Sequence, residues 1–254
     1  MQAEAVYQGL SAEVYDLWFG SEPFEDQAFF ERRIRSAGGA ALEVACGTGR
    51  LLVPFLRDGI AVDGADISSS MLEICREKAE RLGLSPRLYE QAMERLSVDR
   101  RYRTIYIPYC SFQMLGSRSD ALEALRRFRD HLEPGGQVLI SIFLPWNDVA
   151  DDRRWWLKRT GTLADGSTVL MHEAVVPDRI ARAQTDYYKY EVYSREGRLL
   201  QTELRMVRFL WYFRDDIEAM FRETGFRDVE VFGEYTDRAS RDDDEVWVAR
   251  AVRP

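Results

Sequence analysis

Two short stretches bring together side chains suited to a charged, nucleoside-sized ligand. Residues 43 to 50 read Glu43-Val44-Ala45-Cys46-Gly47-Thr48-Gly49-Arg50. Small residues at 45, 47 and 49 let main-chain N–H groups come close to a ligand, and a helix starting behind them favours a negative group such as a carboxylate. The second stretch is Asp66, shortly before Ser70-Met71-Leu72-Glu73. An acid ending a strand at that place can accept hydrogen bonds from both hydroxyls of a ribose, or it can cap the helix that follows; the residue type allows either. A nicotinamide dinucleotide is disfavoured. Its turn wants Gly-x-Gly-x-x-Gly, and Leu52 stands at the third glycine, where close helix–strand packing needs no side chain.

Other candidate groups are fewer. Pro108-Tyr109-Cys110-Ser111-Phe112-Gln113 falls after a fourth strand, where an open α/β sheet places its ligand crevice, so Tyr109, Ser111 and Phe112 are expected to position an acceptor. The chain has two histidines. His131 ends a helix before Pro134, where a cation is favourable, and is expected to act as a C-terminal cap. His172 is a β-sheet histidine or a general base. Cys46, Cys75 and Cys110 are odd in number and widely spaced, so neither a disulfide framework nor a zinc site is indicated, and no cluster of acids or histidines has metal-ligand spacing.

The elements that must position these residues alternate. Ser11 is expected to cap a short helix through Phe19, and Phe24 to Ala37 has helical spacing before Gly38-Gly39. Ala40 to Ala45 is a strand, Arg50 to Arg57 a helix, Gly59 to Asp66 a strand, and Ser70 opens a helix with a capping box that ends at Gly83. Strands follow near Arg87 to Glu90 and Arg103 to Pro108. A helix striped by Leu122, Leu125, Phe128 and Leu132 is broken by Glu133-Pro134-Gly135-Gly136, and Gln137 to Phe143 is an apolar fifth strand. This is a doubly wound α/β order.

From Pro145 to Phe213 the pattern changes to β-rich runs at Ser167 to Val176, Arg182 to Tyr193 and Leu199 to Phe213, separated by turn formers. An inserted antiparallel sheet is expected over 145–213. It is rich in aromatic residues, Trp156 and Trp211 among them, which either pack the sheet on the core or form a lid over a substrate pocket. Asp215 to Thr224 returns to helix, and strands at Asp228 to Phe232 and Glu245 to Val252 rejoin the main sheet. The division is therefore 1–144 with 214–254, and 145–213.

Bulk composition narrows the function classes. With 254 residues, 46% hydrophobic, the chain can bury a sizeable core. A net charge of −8 without a basic stripe argues against a nucleic-acid partner. Absence of an apolar run long enough for a membrane span, and of a leader pattern at the start, sets the expectation of a cytoplasmic protein with no membrane partner. Charge runs at Arg126-Arg127, Asp151-Asp152-Arg153-Arg154 and Asp242-Asp243-Asp244-Glu245 are read as solvated surface.

In four places the chain resembles the class I S-adenosylmethionine-dependent methyltransferases of small-molecule type, which include sugar-nucleotide N-methyltransferases. The places are Leu42-Glu43-Val44-Ala45-Cys46-Gly47-Thr48-Gly49, Asp66-Ile67-Ser68 with Met71, Gln91-Ala92-Met93, and Leu132-Glu133-Pro134-Gly135-Gly136. Ala12-Glu13-Val14-Tyr15-Asp16 is similar to their leading helix. The resemblance implies a Rossmann-like, mostly parallel seven-stranded sheet and S-adenosylmethionine as cofactor. It implies Glu43, Ala45, Cys46, Gly47 and Gly49 around the methionyl part, with Tyr15 closing over it. Asp66 would take the ribose, Ile67 and Met71 the adenine faces, and Ala92 and Met93 the adenine edge, with Tyr109 also at the cofactor. Family members often carry Asp where this chain has Ala92, so the exocyclic amine would rely on main chain or water, a loss of about 0.5–1.5 kcal/mol. The implied activity is methyl transfer to nitrogen or oxygen of a small-molecule acceptor. The competing reading is a non-catalytic S-adenosylmethionine binder acting as a sensor or scaffold. Assembly as a homodimer is compatible with either.

Overall fold

The computed structural model describes residues 7–20, 25–144 and 154–254. Two short helices, α1 (Leu10–Glu13) and α2 (Tyr15–Phe19), precede α3 (Glu25–Ala37). The alternating part then runs β1 (Ala41–Val44), α4 (Leu52–Arg57), β2 (Val62–Asp66), α5 (Ser69–Glu80), β3 (Leu88–Glu90), β4 (Tyr102–Ile107), α6 (Arg118–His131) and β5 (Leu132–Phe143). Four long strands follow, β6 (Trp156–Thr162), β7 (Thr168–Asp178), β8 (Ala183–Tyr193) and β9 (Leu199–Leu210). The chain closes with α7 (Arg214–Glu223), β10 (Arg227–Gly233) and β11 (Val246–Val252).

The main sheet has seven strands in the order β10-β11-β5-β4-β1-β2-β3. β1 pairs in parallel with both β2 and β4, and β11 runs antiparallel to β5 and β10. The order reverses direction at β1, so a crevice opens at the carboxyl ends of β1 and β4, the switch point at which open α/β sheets bind ligands. Every residue of β1 and β2 is buried, as required where helices cover both faces. On one face Phe29, Phe30, Phe55 and Leu72 pack from α3, α4 and α5; on the other Leu125, Phe128, Met220 and Phe221 pack from α6 and α7. Each of these side chains contributes about 1.5–3 kcal/mol by leaving water.

The second sheet, β6-β7-β8-β9, is antiparallel throughout. It packs on the leading helices through Leu10, Val14 and Trp18 against Val169, Met171 and Tyr190. Trp18 also donates its indole N–H to the carbonyl of Thr160 on β6, at 3.2 Å.

Several local expectations need correcting. Ser11 lies inside α1 and is buried, its hydroxyl donating to the carbonyl of Gln8, so it caps nothing, and the expected single helix is two. The cap of α5 is Ser68, whose Oγ accepts from the Met71 N–H at 3.2 Å; Ser70 sits within the first turn. His131 does end α6, but Val98 N–H donates to its Nε2 at 3.1 Å and its Nδ1 lies 2.8 Å from the Arg127 carbonyl. The Nδ1 contact ties the ring to a carbonyl in the last turn of α6, while Nε2 takes the Val98 amide, so His131 sits at the helix end and also fixes the segment before β4. Strand β5 already begins at Leu132, with its register shifted across the Pro-Gly-Gly segment. Strand β6 was not foreseen, because its mostly exposed residues lack an apolar run. The expected start of α3 at Phe24, the first residues of the 145–213 insertion and the charges at 151–153 lie outside the described residues.

Candidate functional site

Strand β1 stops because the backbone turns left-handed immediately after it. Ala45 has φ 59°, followed by Gly47 at 53° and Gly49 at 77°. Gly49 answers a second need as well. A Cβ there would lie 2.5 Å from Cys75 Sγ and 2.8 Å from Val53 Cγ2, so the turn can press against α5 only without a side chain. At the end of the neighbouring strand β4, Tyr109 has φ 60°. Left-handed backbone at a non-glycine residue costs on the order of 1–3 kcal/mol, and such strain tends to collect at ligand sites. Here it marks the two strand ends that flank the switch point.

Carboxylates are arranged around this turn. Asp66, at the end of β2, accepts the Gly47 N–H through Oδ2 and the Ser68 N–H through Oδ1, both at 2.8 Å. Burial raises its pKa, while those main-chain donors oppose the rise. Glu43 is 2% exposed and accepts a hydrogen bond from Tyr106 Oη at 2.8 Å. Burial pushes its carboxyl up to about 8. Thr48 Oγ1 donates to Asp16 at 2.6 Å and Lys78 Nζ reaches the same carboxylate at 2.8 Å, which fixes α2 over the turn. The buried Asp26 of α3 takes both terminal nitrogens of Arg50, at 2.9 and 2.5 Å.

A cavity of about 930 Å³ lies between the β1 and β4 ends, the leading helices and the second sheet. Its floor includes Glu43, Ala45, Cys46, Gly47, Tyr109 and Cys110. One wall is aromatic: Tyr7 meets Tyr15 edge-on at 5.4 Å, Tyr15 meets Phe19 at 4.8 Å, and Phe19 meets Tyr109 at 6.3 Å. The roof is the second sheet. Met171, Glu173 and Val175 of β7 and Gln184, Asp186, Tyr188 and Tyr190 of β8 line it, alternate residues as the pleat dictates.

Most residues singled out from the sequence meet here, and some do not. Tyr15, Glu43, Ala45, Cys46, Gly47, Tyr109, Ser111, Trp156 and Trp211 all line the cavity. Gly49 sits behind the turn in packing. Asp66, Ile67, Met71, Ala92 and Met93 gather at the ends of β2 and β3 beside the turn, outside the cavity lining; Ile67 is half exposed and the Gln91 N–H donates to the Asp66 carbonyl at 2.9 Å. Phe112 is fully buried against Tyr212 and belongs to the core rather than to a substrate pocket. His172 alternates with Met171 and Glu173, so it points to the far face of β7, where Nδ1 lies 3.5 Å from Glu191. A base role does not follow from that position.

Sequence reasoning missed Tyr7, Arg50 with Asp26, Lys158, Glu173 and Asp186. The last two carried a usable signal, an acid at the inward position of each alternating strand. No group of three or more potential metal ligands occurs among the described residues, and no described helix is long and apolar enough to cross a membrane.

Comparison with known proteins agrees with this architecture. Residues 41–136 match the family model of a methyltransferase domain. A dTDP-3-amino-3,6-dideoxy-alpha-D-glucopyranose N,N-dimethyltransferase of Streptomyces fradiae is 30% identical over 149 residues, 56% of this chain and 56% of that protein. A dTDP-3-amino-3,4,6-trideoxy-alpha-D-glucopyranose N,N-dimethyltransferase of Streptomyces venezuelae is 26% identical over 170 residues, 65% and 69% of the two chains. The chain thus spans little more than half of the first relative and about two thirds of the second. A solved S-adenosylmethionine-dependent methyltransferase from Clostridium acetobutylicum superposes with a TM-score of 0.79 at 17% identity, covering 95% of this chain and 96% of that one, a likeness of fold that takes in both sheets. By sequence, the likeness to a methyltransferase domain covers residues 41–136, and by fold the likeness to a solved methyltransferase takes in both sheets.

Proposed function

We propose that the chain binds S-adenosylmethionine against the β1 turn and moves its methyl group to nitrogen or oxygen of a small-molecule acceptor under the second sheet. The observation that carries this reading is the cavity: it is large enough for a drug-sized acceptor and joins the β1 turn to the roof sheet.

The residues present fit the cofactor. A Cβ at Gly47 would have Met71 Cε at 3.8 Å and nothing closer, so main chain can approach a ligand there. Glu43 offers a carboxyl at the floor for an ammonium group, and the Asp66 carboxylate stands beside the turn, held by main-chain N–H groups that include those of Gly47 and Ser68. When bound, S-adenosylmethionine supplies a sulfonium-activated methyl carbon. The chain's own part is to exclude water with Tyr7, Tyr15 and Phe19, and to hold the acceptor's lone pair in line with the methyl group. The finer proposal is a sugar-nucleotide acceptor, supported by the printed activities of the two Streptomyces relatives. The division at 145–213, a cytoplasmic location and a homodimer belong to the same reading.

Labelled methyl transfer, screened over amines, phenols and sugar nucleotides alongside calorimetry with S-adenosylhomocysteine, tests it. Cofactor binding with transfer to at least one acceptor is expected. Binding without transfer to any would favour a sensor or scaffold, and no binding would defeat the cofactor assignment.

A further inference from the structure

The roof of the cavity carries two buried acids with different surroundings. Glu173, 3% exposed, is matched by Lys158 Nζ at 2.5 and 2.6 Å from its two oxygens. Asp186, 5% exposed, accepts among the described residues from neutral donors: Gln184 Nε2 at 2.8 Å on Oδ1 and Tyr188 Oη at 3.1 Å on Oδ2. Gln184 is itself fixed by Trp211 Nε1, at 3.2 Å from its Oε1. Asp186 lines the same cavity as Tyr109 and Cys110 at the β4 end, and its charge adds to burial in raising the Cys110 thiol.

Resting on the proposed function, we propose that Asp186 binds the acceptor as an amine and takes up its proton, which makes the acceptor a primary or secondary amine rather than an alcohol or phenol. A buried anion held by neutral donors is costly, and an arriving ammonium removes that cost, whereas a neutral hydroxyl leaves the charge unmatched. Proton transfer is also made less unfavourable. Burial first, then the charge of Glu173, raises the Asp186 carboxyl to about 6, opposed by Gln184, Tyr188 and Lys158. That brings it closer to an ammonium than an ordinary carboxylate at about 3.9. The ammonium N–H passes its proton to Oδ of Asp186 and keeps the electron pair. That pair then forms the N–C bond as the C–S bond breaks with its electrons left on sulfur, and the carboxyl later releases the proton to water.

The test uses the full chain loaded with S-adenosylhomocysteine and a panel of amino sugars and arylethylamines, each paired with its hydroxyl counterpart. Calorimetry should find at least one amine that binds, weakened about ten- to a hundredfold by Asp186→Asn, with its hydroxyl counterpart unaffected. In turnover with S-adenosylmethionine, the fall of kcat/KM below about pH 6 should vanish in Asp186→Asn and move to higher pH in Tyr188→Phe, which strips one donor from the carboxylate. Unchanged S-adenosylhomocysteine affinity certifies that each variant is folded. Equal binding of amines and hydroxyls, no amine binding, or an acid limb that survives Asp186→Asn would overturn the proposal. Failure of the wild type to bind S-adenosylhomocysteine would instead defeat the cofactor reading beneath it.

Discussion

Gly47 donates its main-chain N–H to Asp66 Oδ2 at 2.8 Å, so the turn leaving β1 and the acid ending β2 are one hydrogen-bonded unit. The second oxygen of Asp66 holds the Ser68 N–H at the start of α5. Asp66 therefore organises the turn and the entry to α5, whose cap is Ser68. Asp66→Asn turns an NH2 group toward one of those N–H donors. Affinity for S-adenosylhomocysteine should drop about ten- to a hundredfold by calorimetry. The exposed Asp242 is the control, and Asp242→Ala should leave affinity unchanged.

Glu43 makes the ligand-free protein sensitive to pH. Its carboxyl stands near 8 in the folded chain, from burial, against about 4.3 when unfolded. A carboxyl raised by folding contributes stability that is full below the unfolded value and lost as pH rises through the folded one. The urea midpoint should fall between about pH 5 and pH 8, by the equivalent of a few kcal/mol at most. Glu43→Gln should flatten that part of the slope, and Asp186 and Asp66, raised in the same direction, should leave a smaller fall.

Ala45 holds a left-handed φ of 59° that glycine adopts without steric cost. Ala45→Gly should stabilise the fold by roughly 0.5–1 kcal/mol despite the entropy glycine loses. A rise in the urea midpoint at unchanged slope checks this.

Gly49→Ala should act in the opposite sense. Its Cβ would stand 2.5 Å from Cys75 Sγ on a backbone at φ 77°. A loss of about 2–3 kcal/mol is expected, seen as a lower melting temperature, with α5 displaced from the turn.

His172 lies on the face of β7 turned away from the cavity. His172→Ala should keep methyl transfer within about twofold of wild type, the range of a peripheral substitution. A hundredfold loss would restore it as a base.

The alternation of glycine turns, capped helices and apolar strands up to Phe143 was legible without coordinates, because each is set by local backbone preference and burial period. So were the turn at Ala45 to Gly49 and the acid at the end of β2, which follow from residue type and order. Caps were read less well: Ser68 and Ser70 are equally good capping residues for α5, and packing of the flanking segments selects the first. Strand β6 escaped because it has no apolar face of its own and is held by its pairing with β7.

What the sequence determined by itself was the class of sheet and the glycine turn that leaves its first strand. Only the tertiary structure decided what stands opposite that turn. Asp186 and Glu173 are far from it along the chain, and their distance from it depends on how the second sheet leans over the crevice on Leu10, Val14 and Trp18. Which of two neighbouring strand residues faces inward, Glu173 or His172, is likewise fixed by pleat and register, and a shift of one residue would exchange them.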